Sequence, residues 1–166
     1  MNFSGQPTFN HLLNFIDKNE IRQIAKKHEA ERYVKKITTY HHLVVMLYAS
    51  IEGYHSIRET ILGLLANTHR LSHLGLSYLV RRSTLSEASE IQIWVTLLAN
   101  LLITLAQSKL KRSWAFSNLV SVIRQQLMNY IDMYSFLEDP EESWRAIIKE
   151  NKDKYSLFPE MRGTYF

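Results

Sequence analysis

The sequence predicts an all-α protein, and three observations carry that expectation. Only five Gly and three Pro occur in 166 residues, too few for the turn-dense punctuation of a sandwich or barrel. Apolar residues recur at three- and four-residue spacing through several stretches, which is the period of an amphipathic helix. Capping residues, Ser, Thr or Asp with Glu three positions later, stand in front of most of those stretches. A composition of 46% apolar and 22% charged residues suits a globular chain rather than a disordered one.

Taken in order, Phe9, Leu12, Leu13 and Ile16 predict a short helix after Thr8. Asp17-x-x-Glu20 opens a second one carrying Ile21, Ile24 and Ala25, so that two short helices fill residues 9–28. Thr38 or Thr39 caps a strongly apolar helix from Tyr40 to Ile51, which Gly53 ends and which is expected at the heart of the first half. Ser56 and Glu59 form an S-x-x-E box for a helix from Ile57 to about Ala66, with Ile57, Ile61, Leu64 and Leu65 inward. Residues 67–80 are leucine-punctuated and interrupted by Gly75, after which Thr84 and Glu87 make a further capping box.

The stretch from Ile91 to Ala106 has Gln92, Thr96, Asn100 and Thr104 as its only polar members. It lacks the length and purity of a membrane span, so no membrane role is expected, and it reads as a helix made to be buried on every side. One long helix is expected from Phe116 to Leu137. Asp139-Pro140-Glu141-Glu142 then supplies an N-cap, a proline at the first helical position and a D-x-x-E box for a last helix through Asn151. Residues 152–166 read as a loose tail.

Charge divides the chain. Residues 1–90 hold 11 Lys or Arg against 8 Asp or Glu, residues 91–166 hold 9 against 8, and all seven histidines precede His73 or are His73 itself. With no cysteine, disulfides, thiolate metal sites and a cysteine nucleophile are excluded, and an intracellular setting is expected. The start has no cationic run followed by an apolar core, so no signal peptide is expected.

Phosphate-cradling glycine loops, H-E-x-x-H and G-x-S-x-G are all absent. His69 and His73 would share a helix face, yet two imidazoles without a third ligand do not make a zinc site. The four aspartates are Asp17, Asp132, Asp139 and Asp153, and Asp17 and Asp139 are accounted for as helix caps. Arg81 and Arg82 stand immediately before Ser83 and Thr84 at a helix start, the layout of a helix-turn-helix reader whose N-terminal side chains meet bases and phosphates. The plainer reading of the two arginines is a solvated loop pair.

Several ordered stretches together resemble the N-terminal domain of bacterial insertion-sequence transposases of the family-four DDE group. They are Phe9-x-x-Leu12-Leu13-x-x-Ile16, the basic Tyr33 to Ile37, the apolar Tyr40 to Ile51, Ser56-Ile57-Arg58-Glu59, Leu71 to Gly75 and Arg82 to Ala88. Ile91 to Val95, Trp114-x-Phe116-Ser117-Asn118-Leu119-Val120 and Asp139-Pro140 resemble the C-terminal end of the same transposases. The catalytic middle of the family, with two Asp and a later Glu in a Y-x2-R-x3-E-x6-K signature, has no counterpart: Tyr78 and Arg81 begin the pattern, but Leu85 stands where Glu is required.

The resemblance implies two ends of a transposase joined near residues 89–91. Residues 1–90 would be a multi-helix DNA-binding domain with a helix-turn-helix-like unit, residues 91–151 the remnant C-terminal helices, and 152–166 a tail. It implies DNA as partner, through terminal inverted repeats, with Arg81, Arg82, Ser83 and Thr84 at the reading helix and Lys35, Lys36 and Arg58 on phosphates. The family's divalent metals would have no ligands here, so neither cofactor nor strand transfer is expected. A cytoplasmic, nucleoid-associated place in a bacterium follows. Pairing of the second-half helices with an intact transposase or with a second copy is the alternative role, and a poorly folded, non-functional remnant is the third.

Overall fold

The apolar run after Thr38 becomes the central helix. In the computed structural model, which describes residues 7–30, 38–71, 76 and 91–154, every element among the described residues is helical. These are α1 (Thr8–Leu13), α2 (Lys18–Lys27), α3 (Thr39–Glu52), α4 (Ile57–Ala66), α5 (Thr68–Leu71), α6 (Ile91–Ser108), α7 (Phe116–Gln126), α8 (Met133–Glu138) and α9 (Pro140–Lys154). The all-α expectation holds.

Helix α3 starts where Thr38 Oγ1 accepts the His41 N–H at 3.3 Å. It stops where Gly53 turns left-handed at φ 78°, a conformation glycine adopts without a Cβ penalty. Between these ends Val44, Val45, Leu47, Tyr48 and Ile51 are buried. Helices α2, α4, α6 and α7 all pack on α3, with α6 the most extensive neighbour. One apolar core therefore draws on both segments of the chain: Phe9, Leu12 and Leu47 lie in the same cluster as Ile103, Leu119 and Phe136.

Two sequence expectations are corrected. The helix expected from Phe116 to Leu137 is two helices, because the turn between them serves another element. The first N–H groups of α1, at Thr8 and Phe9, donate to the carbonyls of Asn129 and Leu127, each at 2.8 Å, and Thr8 Oγ1 donates to Asn129 O at 3.0 Å. Those carbonyls satisfy a helix terminus that otherwise has no partners, and Asp132 starts α8 afresh by accepting the Ser135 N–H at 2.8 Å.

Helix α6 departs from the expectation of burial on every side. Val95, Ala99, Leu102, Ile103 and Ala106 face the core, whereas Ile93, Trp94, Leu97, Leu101 and Leu105 are exposed. Among the described residues no helix is long and apolar enough to cross a membrane.

Candidate nucleic-acid interface

A surface that binds a polyanion needs cations whose charge is free to leave the protein, so the exposed Lys and Arg must be sorted by what they already hold. Arg70 is spent on structure: it donates to Met128 O at 2.8 Å and to Asn129 Oδ1 at 3.0 Å. Arg124 donates to Ile51 O at 2.8 Å. Lys109 lies over the Phe15 ring and Arg112 over the Trp114 ring.

Helix α2 carries four exposed cations, of which Lys18 also lies over a ring, that of Tyr40. Asp17 accepts the Asn19 N–H at 2.7 Å and sets the helix start, Ala25 is buried and Ile21 is half-buried, and the side chains of Lys18, Arg22, Lys26 and Lys27 are exposed. Lys18, Arg22 and Lys26 follow one another at four-residue intervals, about 6 Å apart along one flank. Lys18 Nζ sits 4.9 Å from the centre of the Tyr40 ring. Burial pushes the Tyr40 hydroxyl up, and the Arg22 charge pulls it the other way. Glu20 is the single acid of the helix.

Of the candidates from the sequence, Arg58 is exposed in the first turn of α4. The Glu59 N–H donates to Ser56 Oγ at 3.1 Å, and Glu59 Oε2 accepts the His55 N–H at 2.8 Å. A cation in that turn opposes the helix dipole, so helix stability does not explain Arg58. Helices α2 and α4 both pack on α3. Lys35, Lys36, Arg81, Arg82, Ser83 and Thr84 lie outside the described residues, as does His73. The α2 cations are not among the residues the sequence reading singled out, although the Lys-x3-Arg-x3-Lys spacing announces them.

Three of the four aspartates are engaged as helix caps: Asp17, Asp132 and Asp139, the last accepting the Glu142 N–H at 3.0 Å. Among the described residues no group of three or more His, Asp or Glu gathers at a possible metal position. A small pocket between α1, α7 and α8 is lined by Thr8, Val122, Ile123 and Phe136 among others and carries no ionisable side chain.

In the comparison with known families, residues 4–77 match a family described as a domain of unknown function, DUF4372. That segment runs from before α1 to beyond α5 and contains α2, α3 and Arg58. No curated protein and no solved structure matches the chain.

Proposed function

We propose that this chain is an internally deleted insertion-sequence transposase of the family-four DDE group that keeps DNA binding and has lost strand cleavage and transfer. The observation that carries the DNA-binding half is the exposed cationic flank of α2, with Lys18, Arg22 and Lys26 in line, followed after Glu29 and Glu31 by the basic stretch from Arg32 to Lys36 in the sequence. The loss of chemistry rests on the missing Glu of the family signature and on the employment of Asp17, Asp132 and Asp139 as caps. In this reading α2 and Arg58, with Lys35 and Lys36, hold phosphates and set orientation, while Arg81, Arg82, Ser83 and Thr84 read base edges. The chain occupies terminal inverted repeats in the bacterial cytoplasm and competes with an intact enzyme for them.

Fluorescence anisotropy on a duplex bearing the element's inverted repeat and on a scrambled duplex tests this. Affinity should fall steeply with salt, and each phosphate contact contributes about 0.9 to the log–log slope. The triple variant Lys18→Ala/Arg22→Ala/Lys26→Ala should weaken both duplexes alike and flatten the slope by about 3. Arg82→Ala should weaken the repeat more than the scrambled duplex, by about 1–3 kcal/mol. Absence of binding to either duplex at about 50 mM salt overturns the reading.

A further inference from the structure

Helix α6, the longest among the described residues, leaves a large apolar flank in contact with solvent. Ile93 and Trp94 are 70% and 73% exposed, Leu97 and Leu101 55% each, and Leu105 41%. With about 200 Å² for a fully bared side chain of this size, these five present about 600 Å², at the upper end of what a monomer leaves uncovered. No charged residue occurs anywhere in α6. Solvent-facing flanks of helices ordinarily carry charges, and α2, α4 and α9 each do so. A flank that is broad, apolar and chargeless has the composition of an interface centre, where charge is depleted and Trp is enriched.

We infer that α6 is the contact surface of a homodimer, with the Trp94, Leu97 and Leu101 stripe of one copy packed on the same stripe of a second. Three observations select a second copy. The first is area: adding the exposed Asn100 and Thr104 that interleave with the apolar residues brings the flank to about the 800 Å² per partner of a standard interface. The second is spacing. Trp94, Leu97 and Leu101 recur at three and four residues, and Thr104 and Ser108 continue the series, which is the seam of helices that pack at a shallow angle. The third is charge. Across a two-fold axis a surface meets its own copy, so any net charge near the axis is brought against a like charge. This flank brings none, and it offers a polyanion nothing to hold. The dimer contact is thus separate from the cationic flank of α2 and independent of whether DNA binds there.

Sedimentation velocity across a concentration series reads the proposal directly. The chain should sediment at twice its monomer mass. Leu97→Glu/Leu101→Glu should halve that mass while keeping the helical circular dichroism, because both side chains are more than half exposed. The chain has no cysteine, so a single Asn100→Cys supplies a second measurement that leaves the stripe intact: mild oxidation should link two copies covalently, whereas an exposed Ser117→Cys on α7 should stay monomeric on a denaturing gel. A wild-type monomer at about 100 μM overturns the proposal, since standard-size interfaces hold at micromolar concentrations or below. A dimer that persists in the folded double glutamate variant also overturns it. If that variant fails to fold, equal cross-linking of Asn100→Cys and Ser117→Cys overturns it in its place.

Discussion

Arg124 on α7 donates its Nε–H to the carbonyl oxygen of Ile51 at the C-terminal end of α3, at 2.8 Å. The last carbonyls of a helix have no partner within it, and here a guanidinium from another helix meets one of them where the helix dipole is negative. A Cβ built on Gly53 would stand 3.0 Å from an Arg124 terminal nitrogen, so the glycine also makes room for the arginine. Replacing Arg124 by Met should keep the stem packed, orphan the carbonyl and cost about 1.5–3 kcal/mol, as for other hydrogen bonds to charged groups. Urea unfolding measures this, and a loss under about 0.5 kcal/mol would mean that water serves Ile51 equally well.

Gly63 should not tolerate a side chain. A Cβ there would overlap the Tyr54 ring, coming within 2.6 Å of Cε2 and closer still to the hydroxyl, and that ring is held edge-on against Tyr48 at 5.9 Å. Gly63→Ala lies in a helix, where alanine is intrinsically preferred by about 1 kcal/mol, so a net loss must come from the clash. Overpacking of about 1–3 kcal/mol should cancel or outweigh that gain. The double variant with Tyr54→Ala should recover the intrinsic gain, and a mutant cycle by urea unfolding isolates the coupling.

Thr8→Val keeps shape and removes the hydroxyl that donates to Asn129 O. Thr8 is 2% exposed, so water cannot replace the donor, and the expected cost is about 1–2 kcal/mol. The loss should concentrate in α1: amide hydrogen exchange of Leu12 and Leu13 should accelerate more than that of α3. Uniform acceleration across both helices would argue against a local anchor.

Stability should decline as pH falls below 6.5. The His42 Nε2 is buried with no hydrogen-bond partner among the described residues, and burial pushes its imidazole below the usual 6.5. A depressed value means that the unfolded chain binds the proton first. The contribution is therefore full above pH 6.5 and is lost as pH falls from there through the folded value. Glu52 acts in the opposite sense: burial raises its carboxyl while Arg124 lowers it, so its contribution is full below 4.5 and is lost as pH rises through the folded value. Urea midpoints between pH 5 and 7.5 should show a slope in the wild type that His42→Leu flattens. An unchanged slope in that variant would assign the effect to other groups.

What the sequence announced and what it hid divide along the range of the interactions. Thr38 and Gly53 bound α3, Ser56 with Glu59 opens α4 and Asp139 opens α9, because a cap is a contact among neighbours in the chain and its chemistry is written locally. The break after Gln126 was illegible, since its cause is a set of carbonyls claimed by Thr8 and Phe9 from the other end of the chain. Periodicity also fails for α6: with apolar residues on all sides, spacing does not say which flank meets the core. For the candidate interface, Arg58 was legible and is exposed, while Lys18, Arg22 and Lys26 stand among the polar positions of α2, and only their four-residue spacing sets them apart.

The anchoring of α1 also sets a timetable. Thr8 precedes its acceptor Asn129 by 121 positions, and a ribosome adding about 5–20 residues per second needs roughly 6–24 s to cover that interval. Through that time Phe9 can meet Tyr48 of α3, but not the carbonyls of Leu127 and Asn129 that hold the start of α1. Helix α1 is separated by most of the chain from the turn that anchors it, so this protein should fold more slowly than its local helices suggest.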